Sequence, residues 1–255
     1  MQKMTANILG VHVHSINVNE LIELIIQACI EKRKVTISYV NVHAINIAYQ
    51  LRWFKDFLNS SEVVFCDGYG VKRAAEFLNQ PVLYRNTPPD WISLLAHELA
   101  IRDYTLYLLG AHPGIIEKAA AALTRREPSL KIVGCYHGYF EKKLGSAEQR
   151  TVLEEINRVK PKVLLVGFGM PAQEEWLKTN LASLNINVAM PVGALFDYLA
   201  GNVYRAPRWM TDHGLEWLGR LIIEPKRLWK RYVLGNPLFL WRVFKQKIGW
   251  DKYDE

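Results

Sequence analysis

The sequence predicts an α/β fold with Rossmann-like parallel sheets flanked by helices, followed by a basic helical C-terminal appendage. Short apolar segments alternate with helical stretches through the first 204 residues. This alternation is typical of parallel strands connected by helices that cover the sheet. After Gly201 the pattern changes to basic, Trp-rich helical segments interrupted by Pro225 and Pro237. We therefore expect an α/β domain over residues 1–204 and an appendage over residues 205–255.

The first part of the chain carries three predicted strands, at residues 8–13, 35–40 and 63–66. Apolar residues recur at helical spacing after each strand. The helix after the first strand is expected to be capped by Asn19 and to extend to about residue 32. A single helix is expected over about 43–58, and a third runs from Gly68 through Leu78.

A second series of elements begins near residue 105. Strands are predicted at 105–109, 131–134, 163–167 and 188–192. The helices between them are predicted from Gly114 to about residue 126, over 147–159 and over 171–184. The repeated strand–helix order supports a parallel sheet in this part of the chain as well.

Most of the positive charge lies in the appendage. The net charge is +7 over 255 residues. Residues 205–249 hold ten Lys and Arg against three acids, and five of the eight tryptophans lie at 205–250. A local excess of basic and aromatic side chains indicates contact with an anionic surface, either a membrane or a nucleic acid.

Residues 226–233, KRLWKRYV, alternate basic pairs with apolar pairs. Two residues correspond to about 200° around a helix, so the two kinds of side chain are expected on opposite faces. This pattern indicates an interfacial helix with Trp229 and Tyr232 at the depth of the lipid headgroups. The alternative is an ordinary surface helix that packs Leu228, Trp229 and Val233 on the core.

Several classes of protein are disfavoured. No run of about 18 apolar residues predicts a membrane span, and the first residues lack a signal-peptide pattern. Cys29, Cys66 and Cys135 lie in apolar segments, so we expect free, mostly buried thiols in a reducing cytoplasm. The seven His residues show no ligand spacing, and no metal site or cofactor is predicted. A nicotinamide-dependent oxidoreductase would need a fuller glycine fingerprint.

Parallel sheets bind ligands at the carboxyl ends of their strands, and several polar and glycine residues occupy such ends. They are Asn41, Asp67, Gly110, Gly167, Gly169 and Gly193. Asp67 follows the apolar segment VVFC and precedes a glycine. Its carboxylate could take a proton from an acceptor hydroxyl as a general base. Alternatively, Asp67 caps the next helix.

Two further segments could bind an anion. In VLLVGFGMPAQEEW the start of the helix could hold a diphosphate on its backbone amides. Gln173 and Glu174 would then face the ligand. The alternative is that these two residues only complete the N-terminus of the helix. In the loop LYRNTPPDW, which contains Arg85, Thr87 and Asp90, the guanidinium could neutralise a diphosphate. The alternative there is a surface loop in which Asp90 caps the following helix.

These segments together resemble the WecG/TagA/CpsF family of glycosyltransferases, and the similarity runs along almost the whole chain. The matching motifs are CDGYGV (66–71), RNTPPD (85–90), LYLLGAHPG (106–114), GYF (138–140), VGFGMPAQEEW (166–176), VGALFDYLAG (192–201), RAPRW (205–209) and GLEWLGRLIIEPKR (214–227).

The resemblance implies metal-independent, inverting transfer of an N-acetylhexosamine-type sugar, for example N-acetylmannosamine. The donor would be a UDP-sugar and the acceptor a polyprenyl-diphosphate-linked sugar, in cell-surface polysaccharide or teichoic-acid biosynthesis. The enzyme would be peripheral on the cytoplasmic face of the membrane, and its appendage would complete the active site. A homo-oligomer is compatible with the sequence.

The resemblance also assigns roles to individual residues. It favours Asp67 as the general base and matches Arg85, Gln173, Arg220 and Arg227 to family residues, with Lys230 or Arg231 occupying a third basic position less cleanly. Together with the strand-end, loop and motif residues, the predicted substrate-binding set is Asn41, Arg85, Thr87, Asp90, Gly110, Gly167, Gly169, Gln173, Glu174, Arg205, Arg220, Arg227 and Arg231.

The sequence departs from the family pattern at Tyr39, where a Thr is usual, and at Pro88, where a Gly is usual. Both positions are expected to lie near the sugars, so the sequence leaves the two sugars open. An alternative from another class is an α/β protein that binds nucleic acid through its basic tail. That alternative gives Asp67 and the GFGMPAQE turn no role, and we expect no nucleic-acid partner.

Overall fold

The structure is a computed structural model that describes residues 4–204 and 206–250. Within these ranges the chain forms eight strands and thirteen α-helices, with a 3-10 turn at Leu181–Ser183 and a π-helical turn at Lys230–Leu234. The strands are β1 Thr5–Ile8, β2 Val11–His14, β3 Val35–Val40, β4 Val63–Cys66, β5 Thr105–Gly110, β6 Lys131–Tyr136, β7 Val163–Gly167 and β8 Val188–Pro191. The helices are α1 Val18–Ile30, α2 Val42–Gln50, α3 Arg52–Asn59, α4 Tyr69–Phe77, α5 Pro88–Ala100, α6 Ile115–Arg126, α7 Ala147–Val159, α8 Ala172–Asn180, α9 Leu195–Leu199, α10 Arg208–Asp212, α11 Glu216–Ile223, α12 Pro225–Trp229 and α13 Gly235–Lys247.

Six of the strands form one parallel sheet in the order β4-β3-β8-β7-β5-β6. Every residue of β3, β4, β7 and β8 is buried. Strands that are covered on both faces lose the alternation of polar and apolar residues. This explains the continuous apolar segments of β4, β7 and β8, whereas β3 also buries the polar Thr36 and Ser38. The sheet confirms the predicted α/β class.

The described chain divides into two compact units. Unit 1 comprises the described residues of Met1–Asn17, Ser38–Thr87 and Tyr204–Glu255, and unit 2 comprises Val18–Ile37 and Pro88–Val203. The C-terminal helices α10–α13 therefore pack with α2, α3 and α4 in one unit. The expected functional division into residues 1–204 and 205–255 stays a prediction.

The predicted strand at 8–13 is wrong, because the chain forms a hairpin there. β1 and β2 pair antiparallel, with Thr5 opposite His14 and Ile8 opposite Val11. Leu9 and Gly10 make the turn with φ values of 52° and 84°. Two-residue hairpin turns require such left-handed conformations. Gly10 was therefore the residue that indicated a turn, although apolar residues on both sides made the segment resemble one strand.

Several helix boundaries also differ from the prediction. α1 begins at Val18, so Asn19 lies inside the helix instead of capping it. The single helix expected over 43–58 is two helices, because Leu51 is extended between α2 and α3. The helix expected over 171–184 ends as α8 at Asn180 and continues as the 3-10 turn, and the short helix α9 was not predicted.

The two prolines of the appendage occupy different positions in its helices. Pro225 is the first residue of α12, where proline is tolerated because the first N–H groups of a helix have no partner within the helix. Pro237 is the third residue of α13, which continues directly from the π-helical turn at Lys230–Leu234, so this proline does not interrupt the helix. None of the helices in residues 4–204 and 206–250 is long and apolar enough to cross a membrane.

A buried polar contact fixes α13 against α2 in unit 1. The guanidinium of Arg242 donates to Asn46 Oδ1 at 2.7 Å, and Asn46 Nδ2 donates to the Gly235 carbonyl at 2.8 Å. The guanidinium also lies 4.0 Å from the centre of the Tyr49 ring. Because Phe239 and Val243 are buried beside it, α13 is a packed wall of the unit.

Candidate active site

Unit 1 contains a cavity of about 1100 Å³ at the carboxyl ends of β3 and β4. Asn41 follows β3 and Asp67 follows β4, as the sheet argument predicted, and both line the cavity. The other charged and polar lining includes Arg85, Glu216, Arg220 and Arg231. The structure thus brings together five of the predicted site residues, Asn41, Asp67, Arg85, Arg220 and Arg231.

Backbone and side-chain hydrogen bonds hold Asp67 in place. Its N–H donates to the Val40 carbonyl at 2.8 Å, and Asn41 Nδ2 donates to Asp67 Oδ2 at 3.3 Å. Asn41 is itself fixed as the N-cap of α2, since its Oδ1 accepts from the Ala44 N–H at 3.1 Å. Gly68 occupies the N-cap position of α4, so the helix-capping alternative for Asp67 is not the arrangement observed.

The surroundings of Asp67 raise the pKa of its carboxyl group above the usual value for Asp. Burial raises the pKa of this carboxyl to about 6, and the negative charge of Glu216 adds to the effect. The hydrogen bond from Asn41 and the charges of Arg231 and Arg220 act in the opposite direction. A carboxylate with this pKa is mostly ionised at neutral pH and is a stronger base than a free Asp, which suits proton abstraction.

Glu216 is a cavity residue that the sequence analysis did not select. Its carboxylate lies 3.6 Å from Arg85 Nη1, and the Arg85 guanidinium lies 5.5 Å from the centre of the Tyr69 ring. Glu216 therefore positions Arg85 as well as raising the pKa of Asp67. The available signal was its place in the motif GLEWLGRLIIEPKR, four residues before Arg220.

His43 also lines the cavity, and its imidazole is neutral at physiological pH. Burial, followed by the charge of Arg231, lowers the pKa of His43 to about 4. The sequence analysis gave this residue no role, because a single His without a repeated ligand spacing carries little information.

The remaining predicted residues of unit 1 are placed elsewhere. Arg227 donates to Glu224 Oε2 at 2.7 Å on the surface and is absent from the described lining of the cavity. Thr87 is buried and is also absent from that lining. Arg205 lies outside the described residues. In unit 2, Asp90 is in the first turn of α5 as its third residue.

In unit 2, glycines allow the carboxyl ends of β5 and β7 to pack closely. Gly110 is paired with Gly167, and a Cβ at Gly110 would lie 2.4 Å from the Gly167 carbonyl oxygen. A Cβ at Gly167 would lie 2.8 Å from the Gly193 carbonyl oxygen. Neither contact can be accommodated, so the two predicted strand ends at Gly110 and Gly167 need glycine for backbone packing alone.

Gln173 ties two of the glycine turns of unit 2 together. Its Oε1 accepts from the N–H groups of Gly169 at 3.2 Å and Gly193 at 3.1 Å. Its Nε2 donates to Glu174 Oε1 at 2.8 Å. Both side chains are fully buried, so a direct contact with a ligand would require this turn to move.

A model of the glycosyl transferase WecG/TagA/CpsF family matches residues 6–253 of this sequence. The chain belongs to this family of glycosyltransferases. The resemblance carried by the sequence motifs is thereby confirmed.

Similar proteins include three from Staphylococcus aureus, from strains NCTC 8325, MW2 and MRSA252. Each is named N-acetylglucosaminyldiphosphoundecaprenol N-acetyl-beta-D-mannosaminyltransferase. They are 29%, 28% and 29% identical to this family member over 207 residues, which are 81% of this chain and 78% of each relative. The names of these relatives describe glycosyl transfer to a lipid-linked sugar.

In this glycosyltransferase the expectation that Tyr232 lies at the depth of the lipid headgroups is wrong. Tyr232 is buried, with its ring 6.0 Å from that of Trp217, whereas Trp229 is exposed. Residues 230–234 form a π-helical turn, in which each turn holds more residues than in an α-helix. The angular spacing assumed for 226–233 therefore fails, and Tyr232 turns towards the cavity.

Residues 4–204 and 206–250 contain no group of three or more His, Cys, Asp or Glu placed to hold a metal ion. Metal independence remains a prediction. The three cysteines are free, with Cys29 and Cys66 buried and Cys135 half-buried. Burial raises the pKa of Cys29 to about 11, so this thiol is unreactive at neutral pH.

Glu174 should make the stability of this protein depend on pH. Burial raises its pKa from 4.5 to about 7, and its Oε2 finds no hydrogen-bond partner within the described residues. Between these pH values the unfolded state binds fewer protons than the folded state, so stability falls as pH rises. Glu174→Gln removes this loss, which is on the order of 3 kcal/mol at pH 8.

Urea unfolding at about pH 5 and pH 8 measures the difference. Glu175→Gln is the matched control, because the neighbouring carboxylate is exposed and should leave the pH dependence of wild type unchanged. Parallel pH dependence in wild type and Glu174→Gln would show that Glu174 is not kept neutral in the fold.

Proposed function

We propose that this chain transfers an N-acetylhexosamine from a UDP-sugar to a polyprenyl-diphosphate-linked sugar with inversion. N-acetylmannosamine is our first candidate, because it is the sugar named for the relatives. One observation supports the chemistry most directly: Asp67, with a pKa of about 6, lies in a cavity that Arg85, Arg220 and Arg231 also line. Family membership supports glycosyl transfer in general.

In the proposed reaction Asp67 takes the proton of the acceptor hydroxyl. The oxygen then attacks the anomeric carbon while UDP leaves from the opposite face, which inverts the configuration. Arg85, Arg220 and Arg231 would neutralise the charge that develops on the departing diphosphate. Because guanidinium groups stay charged at any relevant pH, they can take the place of a metal ion in this role.

The test of the function is product analysis with a panel of UDP-sugars and a short-chain lipid-diphosphate-sugar acceptor. The expected product is one disaccharide-diphosphate lipid with an inverted anomeric configuration. Family membership favours this enzyme over the nucleic-acid-binding alternative. Failure to transfer any sugar from the panel would contradict the proposal.

Asp67→Asn should lower turnover by about 10²–10⁴-fold, the usual contribution of a general base. The affinity for UDP should change little, because the amide keeps the size of the side chain and its hydrogen bond to Asn41. Steady-state kinetics and UDP titration measure the two effects. Asp56→Asn, at an exposed carboxylate of α3, is the control. Near-normal turnover of Asp67→Asn would show that Asp67 is not the base.

The pH profile should report the ionisation of Asp67. Since the base must be deprotonated, kcat/KM should fall as pH decreases through about 6. Glu216→Gln removes the carboxylate that helps to raise this pKa, so the acidic limb should move to lower pH. Glu224→Gln is the control, because Glu224 pairs with Arg227 on the surface. If the acidic limb of the Glu216→Gln profile stays at the wild-type pH, Glu216 does not raise the pKa of the catalytic base.

Activity should survive EDTA, because Arg85, Arg220 and Arg231 in the cavity supply the positive charge that a divalent ion would provide. The measurement compares initial rates after exhaustive chelation with and without added Mg²⁺ or Mn²⁺. Loss of activity in EDTA, restored by either ion, would overturn the metal-independent scheme.

We also propose that the appendage binds an anionic membrane surface from the cytoplasmic side. The helices α11 and α12, together with the first residue of the π-helical turn, expose apolar and basic side chains together, as an interfacial surface requires. The apolar set is Ile222, Ile223 and Trp229, and the basic set is Lys226, Arg227 and Lys230.

The double variant Lys226→Glu/Lys230→Glu should weaken binding to anionic vesicles by about tenfold or more, because each basic residue contributes about 1 kcal/mol. Salt should weaken wild-type binding in the same way. Vesicle co-sedimentation provides the measurement, and Lys118→Glu/Lys178→Glu on the surface of unit 2 is the charge-matched control. Equal loss in both double variants would assign the effect to net charge alone, and preferential binding to a short oligonucleotide would favour the nucleic-acid alternative.

A further inference from the structure

The cavity of unit 1 continues beyond its charged end as a groove between two helices. On α4 the lining residues are Gly70, Arg73, Ala74 and Phe77, and on α13 they include Asn236, Leu240, Val243 and Phe244. Residues spaced by three and four positions share one face of a helix. Each helix therefore presents a single stripe to the groove along most of its length.

Both helices run away from the charged end. α4 starts two residues after Asp67 and reaches Phe77 about 12 Å further on, at 1.5 Å per residue. α13 follows the π-helical turn that contains Arg231. At the far end, Lys247 Nζ lies 5.7 Å from the centre of the Phe77 ring. The groove thus has a charged end at Asp67 and an apolar end between Phe77 and the last turns of α13.

The apolar end exposes large hydrophobic side chains to solvent. The exposed fractions are 49% for Phe77, 64% for Leu240 and 43% for Phe244. Apolar surface gathered in a concave site is removed from water when an apolar ligand fills it. Since these side chains share the cavity with Asp67, the ligand should have a polar head and an apolar tail.

We propose that this groove binds the first prenyl units of the lipid-linked acceptor. The inference rests on the proposed function and names the part of the site that would hold the lipid. In the acceptor the sugar is followed by a diphosphate and then by the prenyl chain. From Asp67 along α4 the groove follows the same order, with the carboxylate first, the cationic Arg73 next and the apolar Phe77 last. Arg73 Nη1 lies 2.8 Å from Glu76 Oε2 on the same helix, so a bound diphosphate would compete with an exposed ion pair, which is a weak interaction.

The experiment compares the binding of farnesyl diphosphate and inorganic diphosphate to the full chain by calorimetry. Both probes carry a diphosphate, and only the first carries a prenyl chain. Wild type should bind farnesyl diphosphate more than tenfold tighter. Leu240→Ser and Phe77→Ser, on opposite walls of the groove, should each remove about tenfold of this preference. Their binding of inorganic diphosphate should be unchanged.

Leu238→Ser is the matched control, because Leu238 is an exposed leucine of the same helix that is absent from the described lining. It should keep the wild-type preference. Equal losses in Leu238→Ser and Leu240→Ser would overturn the groove and assign the apolar side chains of α13 to general contact with a bilayer or with a second copy of the chain. Equal binding of the two probes by wild type would also overturn it.

A transfer assay separates this inference from the proposed function. The acceptors are a lipid-diphosphate-sugar with a short alkyl chain and one with a prenyl chain. Transfer to both with the same KM would leave the proposed function intact and remove the prenyl site. Prenyl-dependent binding of farnesyl diphosphate without transfer to either acceptor would leave the groove intact and contradict the proposed function.

Discussion

The hydrogen bond from Asn41 to Asp67 is the contact on which the candidate site depends. It joins the residues that follow β3 and β4, and it exists because Asn41 is held in place as the N-cap of α2. A side chain that caps a helix has a restricted position, so its second polar group can be directed at a neighbour. The cap at the end of β3 therefore fixes the position of the Asp67 carboxylate at the end of the neighbouring strand β4.

The charges around this carboxylate act against each other, and the result is a base suited to neutral pH. Burial and Glu216 raise the pKa of Asp67, whereas Asn41, Arg231 and Arg220 lower it. The same Glu216 forms the ion pair with Arg85. A single residue therefore links the proton acceptor to one of the cations proposed to stabilise the leaving diphosphate, and a change at Glu216 alters both at once.

The sequence predicted the parts of the site that follow from periodicity. Asn41 and Asp67 were found because parallel strands end at one edge of a sheet, and the glycines of unit 2 were found for the same reason. Glu216 and Tyr232 were not, since their positions depend on how α11 and the π-helical turn pack in unit 1. The turn at Leu9-Gly10 was missed because two apolar strands flank it closely, and the burial of Gln173 and Glu174 cannot be deduced from a helix start alone.

Residues of the appendage line the candidate active site as well as forming the proposed membrane surface. Glu216, Arg220, Arg231 and α13 form walls of the same cavity as Asp67, and all of them belong to unit 1. Removing residues 205–255 would therefore remove cavity walls together with the exposed basic and apolar surface. Loss of activity in such a truncation would say nothing about membrane contact. Because the exposed side chains of α11 and α12 differ from the cavity-lining ones, single-residue changes on the two sets can distinguish attachment to a bilayer from assembly of the active site.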